Sequence, residues 1–308
     1  MRDPRRRNGA VPPLERGAPL AVLGPVDYAQ KVAVVTGASS GIGYVTARAF
    51  AERGSIVVGV ARREGLLQKL AEECRTHSPA SGYLAGDLGD REFAERVIGD
   101  TVQRHGRVDF LVNNAAISKH KQFYHMTADE AEYVMRVNFL SCVWTTMAAI
   151  PHMLRQGGGS IVNISSFAAK VSPPRETMYA ASKAAMNAFS EGLWNDLAGS
   201  NIHVSVINPG PIDTEIWLKE DEPVAYHGPK YPPEIVTDAI FEAIEKRRHE
   251  FTVPRRNPQL VMARFLRLFF PSVLRYGIAR MEPVPGEIVD RARARAARGK
   301  RLGELDEG

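Results

Sequence analysis

Short apolar runs rich in β-branched residues alternate with longer amphipathic stretches along most of the chain. Lys31 to Val35 (KVAVV), Ser55 to Val60 (SIVVGV), Ser81 to Ala85, Val108 to Val112 (VDFLV), Ser160 to Ile164 (SIVNI), His203 to Ile207 (HVSVI) and Glu250 to Val253 read as strands. Residues 42–53, 64–76, 89–105, 127–155, 177–199 and 233–248 read as helices. Thr127 followed by Glu130 has the spacing of a capping box at the start of the longest of these. Most strands are continuous apolar runs rather than alternating ones, as expected when both faces of a sheet are covered. The alternation of strand and helix predicts an α/β fold with a doubly wound, seven-stranded parallel sheet and helices on both faces. The expected organisation is a flexible basic leader over 1–28, a single α/β domain over 29–254, and a basic amphipathic C-terminal extension and tail over 255–308.

Charge sharpens this division. Residues 1–16 hold five basic and two acidic side chains, and residues 255–301 hold twelve basic and three acidic. Residues 17–254 hold 23 basic and 27 acidic, so the net charge of +5 belongs to the two ends. A folded surface that reads nucleic acid would carry its positive charge on the body, so no nucleic-acid partner is expected. Two cysteines, Cys74 and Cys142, are too few for a disulfide framework and point to a cytoplasmic setting. No run of apolar residues is long enough to predict a membrane-spanning helix. Within 255–280, large apolar residues from Leu260 to Leu274 are interleaved with arginines, among them Arg255, Arg256, Arg264, Arg267 and Arg275. Such a helix can lie on a membrane surface, pack on the body or pack on a partner subunit.

The first strand runs into Thr36-Gly37-Ala38-Ser39-Ser40-Gly41-Ile42-Gly43 and then a helix. Gly37 permits a tight turn, Gly41 lets backbone approach a pyrophosphate, and Gly43 lets the helix pack close to the strand. The helix N-terminus offers free N–H groups to phosphates. At the end of the second strand the chain reads Ala61-Arg62-Arg63, with no carboxylate to hold a ribose 2′-hydroxyl. A guanidinium there suits a 2′-phosphate, and the Ser39 hydroxyl could add a contact, so NADP(H) is expected over NAD(H). Arg62 carries most of this expectation; the alternative is that both arginines are solvated residues opening a helix.

TGASSGIG resembles the glycine turn of the short-chain dehydrogenase/reductase family, and the likeness spans roughly residues 29–254. The resemblance implies a Rossmann-type sheet and an oxidoreductase acting on a CH–OH or C=O group. It implies that Asp87, followed by Leu88, reaches the adenine, although Asp87 could equally cap a helix. Asn114, Ala115 and Ala116 would pass close to the adenosine. Pro209 and Gly210 would border the nicotinamide, with Ile212 and Thr214 holding its carboxamide.

Tyr179 and Lys183 are four residues apart at the start of a helix and so share one face. A cation beside the phenol is expected to lower its pKa toward the working range. Ser166 matches the family's catalytic serine, with the adjacent Ser165 as the other candidate, and would donate to the substrate oxygen as charge develops there. Asn138 matches an asparagine that in the family holds a water linking the lysine to solvent; otherwise it is a buried amide that kinks its helix. The expected reaction is hydride transfer between a carbonyl and an alcohol, with Tyr179 as general acid/base. The substrate loop over 215–232, with Trp217, Leu218 and Tyr226, suggests a small hydrophobic partner. No metal is implied, and a homodimer or homotetramer is expected from the family. A non-catalytic NAD(P)-binding sensor or scaffold on the same fold is the alternative reading.

Overall fold

The computed structural model describes residues 26–218, 228–281 and 285–297. Most of the expected leader, the part of the substrate loop that holds Tyr226, and the end of the tail lie outside the described residues. The elements follow the predicted alternation: β1 (Val32–Thr36), α1 (Gly41–Glu52), β2 (Ile56–Ala61), α2 (Glu64–Arg75), β3 (Gly82–Ala85), α3 (Arg91–His105), β4 (Phe110–Asn113), α4 (Ala128–Met135), α5 (Ser141–Arg155), β5 (Gly159–Ile164), α6 (Ala168–Val171), α7 (Thr177–Asp196), β6 (Ile202–Pro209), α8 (Glu234–Lys246) and β7 (Glu250–Val253). Three further helices follow, α9 (Pro258–Phe269), α10 (Pro271–Ala279) and α11 (Gly286–Ala297).

The sheet has seven strands in the order β3-β2-β1-β4-β5-β6-β7, and every pairing is parallel. Its central strands are buried on both faces, which is why they lack the polar alternation of half-exposed strands. One core lies under α1 and α8, where Tyr28, Phe50, Phe110 and Phe241 pack ring against ring with centroids 4.8–6.1 Å apart. The other lies under α3 and α5 around Ile98, Leu111, Met153 and Ile161. Tyr28 is buried and Val26 packs against the same core, so packing already includes residues assigned to the leader. From β1 the chain moves outward to β2 and then returns on the other side at β4. Such a reversal leaves a crevice at the carboxyl ends of the strands.

Two expected helices gain detail from the structure. Residues 128–155 are helical throughout, as expected, but Arg136–Leu140 within them form a π-helical turn in which the Ser141 N–H reaches the Arg136 carbonyl. Thr127 and Glu130 do form the reciprocal capping box at its start. Helix α3 begins after Asp90, whose carboxylate accepts from the Glu92 N–H at 2.9 Å. Asp87 is therefore not the cap of that helix.

Candidate active site

The glycine turn takes backbone conformations that are open to glycine. Gly37 and Gly41 have φ of +67° and +56°, a region costly for any residue with a Cβ. A Cβ on Gly43 would stand 2.4 Å from the Gly37 carbonyl oxygen and 2.6 Å from Asn114 Nδ2, so close approach alone requires glycine there. Ser40 precedes α1 without capping it, and the first turn has no acidic residue. The leading N–H groups of α1 thus face the crevice without a competing anion, which suits a phosphate.

Arg63 closes over this turn. Its Nη2 donates to Ser39 Oγ at 3.0 Å and Ser40 Oγ at 2.6 Å, and its Nη1 pairs with the Glu215 carboxylate at 2.7 Å. Arg62 points elsewhere, donating to the Tyr133 hydroxyl at 3.0 Å, and Tyr133 donates to Asp87 at 2.8 Å. The arginine beside the glycine turn is Arg63, whereas the sequence placed most weight on Arg62. Side chains alternate along the chain leaving β2, and only the second arginine faces the turn.

Asn114 is fixed to β1: its N–H donates to Thr36 Oγ1 at 2.9 Å, and its amide to the Thr36 carbonyl at 3.0 Å. Behind it lies a polar spine. Asn113 and Asn163 are register partners on β4 and β5, and their amides bond at 2.9 Å. Asn113 accepts from Thr145 on α5 at 2.8 Å, and Asn163 donates to Ser190 on α7 at 2.9 Å. These bonds tie two strand ends to the two helices flanking the crevice.

Ser166, Tyr179 and Lys183 come together at the floor. The Ser166 hydroxyl and the Tyr179 phenol are hydrogen-bonded. Ser165 is buried and donates to the Lys183 carbonyl at 2.9 Å, so it serves the scaffold and leaves Ser166 facing the cleft. The Lys183 ammonium donates to the Ile164 carbonyl at 2.7 Å and lies 5.9 Å from the Tyr179 ring centroid. Asn138, fully buried in the π-helical turn, accepts from the Ile117 N–H at 2.8 Å. Its amide donates to the Ile117 carbonyl at 2.9 Å and to Ser182 at 3.2 Å. It anchors the segment after β4 to α7.

The titration of the pair departs from expectation. Burial, reinforced by the nearby Glu176 carboxylate, pushes the Tyr179 phenol up, and the Ser166 hydrogen bond opposes this only in part. Burial pushes the Lys183 ammonium down to about 8. Desolvation is the largest cause of both shifts, on the buried Lys183 and on the half-buried Tyr179 in the cleft wall.

One cleft of about 960 Å³ is lined by nearly every residue singled out from the sequence, from Gly37 to Thr214. Gly43 and Asn138 sit behind its wall. The cleft is also lined by His120, whose Nδ1 is 3.8 Å from Glu176, by Glu215 at the head of the expected substrate loop, and by Leu260, Ala263, Leu274 and Ile278 of α9 and α10. That α9 and α10 face the cleft was not anticipated. Nor was Glu176, although its place three residues before Tyr179 was an accessible clue.

A family model described as short chain dehydrogenase matches residues 31–224. An oxidoreductase of Bacillus subtilis, YxnA, is 33% identical over 240 residues, covering 75% of this chain and 67% of the relative. The 11-beta-hydroxysteroid dehydrogenase 1A of Arabidopsis thaliana is 38% identical over 188 residues, covering 60% of this chain and 53% of the relative. The chain thus spans about half the length of that plant relative. Among solved structures, a short chain dehydrogenase/reductase of Burkholderia phymatum in complex with NAD superposes with a TM-score of 0.73 at 25% identity, covering 80% of this chain and 96% of the other. A short-chain dehydrogenase of Sphingobium yanoikuyae in complex with NADPH gives 0.69 at 27% identity, covering 83% and 96%.

Proposed function

The chain belongs to the short-chain dehydrogenase family, and from that we propose that it interconverts a carbonyl and an alcohol on an apolar substrate, with NADP(H) as cofactor and Tyr179 as the proton-transfer group. The observation that carries this reading is the Ser166–Tyr179 hydrogen bond near the buried Lys183, in the same cleft as a glycine turn leading into an uncapped helix N-terminus. A bound nicotinamide dinucleotide would supply or accept the hydride. The residues present suit it. The α1 N-terminus with Ser39 and Ser40 would hold the phosphates. Asp87, Leu88 and Asn114 to Ala116 would border the adenosine, and Pro209, Gly210, Ile212 and Thr214 the nicotinamide.

In the reducing direction the Ser166 hydroxyl donates to the substrate oxygen as it gains charge, and Tyr179 delivers its phenolic proton to that oxygen. A phenol held protonated by burial suits the donating role. Oxidation reverses the step and requires the phenolate, which the Lys183 ammonium would favour once brought into line with the phenol. Asn138 holds α7 and the post-β4 segment in register so that Tyr179 and Ser166 keep their contact.

The preference for NADP(H) rests on Arg63, which reaches Ser39 and Ser40 across the turn, and on Ala61, which ends β2 without a carboxylate. Replacing Tyr179 with Phe should abolish NADPH-linked turnover across a panel of ketones, aldehydes and alcohols, a loss of at least about 10²-fold. NADPH should still bind by fluorescence titration. Turnover retained in this variant would overturn the assignment. NADPH binding to the unmodified protein without turnover anywhere in the panel would favour the sensor reading.

A further inference from the structure

We propose that the outer face of the α9–α10 pair docks on an anionic bilayer surface, and that apolar substrate enters the cleft from that bilayer through the inner face of the same helices. The second part rests on the function proposed above; the first stands independently of it.

The two helices are apolar on both sides. Toward the cleft they present Leu260 and Ala263 on α9 and Leu274 and Ile278 on α10, in the cavity that holds Ser166 and Tyr179. Helix α9 packs on α6, the short helix just after Ser166. Toward solvent, Val261, Phe265, Leu268 and Phe269 follow one helical stripe, and Val273 and Tyr276 continue it on α10. Leu268 is 73% exposed and Val261 54%, so nothing in the described residues covers this stripe. Contiguous exposed apolar surface of this extent marks an interaction site.

Charge selects the partner. Residues 255–281 contain six arginines and no aspartate or glutamate. Arg255 pairs with Glu242, Arg267 donates to the Lys170 carbonyl, and Arg280 lies over the Tyr276 ring. No ion pair joins Arg256, Arg264 or Arg275 to an acidic group among the described residues. A two-fold contact with a second copy would set this face against itself and bring arginines from both sides together without a counter-charge. An anionic lipid surface offers the complementary sign, and the apolar stripe fits the acyl boundary beneath the headgroups. With 12 and 9 residues, α9 and α10 reach about 18 and 14 Å, well under the ~30 Å of a hydrocarbon core. They lie on the bilayer and do not cross it. Residues 271–281 then join the membrane to the cleft mouth, the short route for a substrate that partitions into lipid.

Vesicle flotation of the full chain tests the docking. The protein should float with vesicles of phosphatidylcholine and phosphatidylserine, and much less with phosphatidylcholine alone. The triple variant Phe265→Ser, Leu268→Ser, Phe269→Ser alters only exposed positions outside the cleft and should lose flotation while keeping its circular dichroism. Arg264→Gln with Arg275→Gln should weaken binding to anionic vesicles roughly thirtyfold, at about fivefold per arginine. Wild-type protein that stays out of the anionic vesicle fraction, or a triple variant that floats equally, overturns the docking. A wild-type dimer in light scattering that the triple variant converts to monomer would assign the face to a second copy instead.

The loading route has its own readout. A long-chain methyl ketone supplied in anionic vesicles should be reduced more slowly by the triple variant than by wild type, with a short water-soluble ketone reduced equally by both. Equal rates on the vesicle-borne ketone overturn the route. No NADPH-linked turnover of either ketone or of the wider panel by wild type overturns the function on which the route depends, and leaves the flotation result to decide docking alone.

Discussion

Replacing Lys183 with Met should stabilise the cofactor-free protein while destroying its turnover. The lysine is 1% exposed, and its ammonium is held by the Ile164 carbonyl. The nearby Cys142 thiol is pushed up to about 12 by burial, so it stays neutral and supplies no counter-charge at working pH. Burial holds Lys183 at about 8 in the folded state against 10.5 for the free side chain. Below about 8 both states are protonated, and the folded state bears the full cost of the buried charge. That cost is about 3 kcal/mol, at about 1.4 kcal/mol for each pH unit separating the folded and free values. Between about 8 and 10.5 the unfolded chain alone holds the proton, so this contribution to stability rises with pH. Above 10.5 both states are neutral and the cost is gone. Methionine fills a similar volume without charge but forfeits the bond to Ile164, at about 1 kcal/mol. The net gain near neutral pH is then about 2 kcal/mol, or a rise of about 5 °C in the thermal midpoint. Paired melts of wild type and Lys183→Met from neutral pH to above 10.5 should show this gap shrinking as pH rises. A variant melting at or below wild type at neutral pH, or a gap independent of pH, would refute the argument.

Three further outcomes follow from the same geometry. The Arg63 and Glu215 side chains are 38% and 42% exposed, so Glu215→Gln should cost at most about 1 kcal/mol of stability. By releasing the guanidinium it should tighten NADPH severalfold relative to NADH; an unchanged ratio of dissociation constants would remove Arg63 from 2′-phosphate recognition. Asn138→Ala strips the Ile117 N–H and carbonyl of their partners and should cost about 2–4 kcal/mol in denaturant unfolding, with a loss below about 1 kcal/mol counting against its anchoring role. Gly43→Ala drives a methyl to 2.4 Å from the Gly37 carbonyl oxygen and should cost about 1–3 kcal/mol together with dinucleotide binding. Unaltered titration by NADPH would mean that the turn yields more easily than its packing indicates.

The parts of the molecule legible in the sequence are those governed by local rules. Continuous Val- and Ile-rich runs in alternation with helices led directly to the parallel sheet, because such strands must be covered on both faces. The Thr127–Glu130 box is chemistry within four residues, and the structure has it. Non-local packing was not legible. The interruption at Arg136–Leu140 depends on the Asn138 amide meeting the Ile117 backbone 21 residues away, which no periodicity records. The inward role of α9 and α10 stayed open for a related reason: an exposed apolar stripe does not say what the opposite face packs on, so the same residues read equally as body, subunit or membrane contact.

The candidate site shows the same division at finer scale. Ser165 and Ser166 are equivalent as letters. They separate because side chains leaving β5 alternate in direction: Asn163 and Ser165 both turn toward α7, bonding Ser190 and the Lys183 carbonyl, and Ser166 turns to the cleft and the phenol. The spacing of Tyr179 and Lys183 established that they share a helix face but not what that face is buried in. Spacing alone favoured a phenol acidified by its neighbour. The burial that brings the two together raises the phenol and depresses the ammonium instead. A buried ammonium held by a carbonyl, where methionine would pack without charge, lowers stability and so fits the proton-transfer role proposed for this floor.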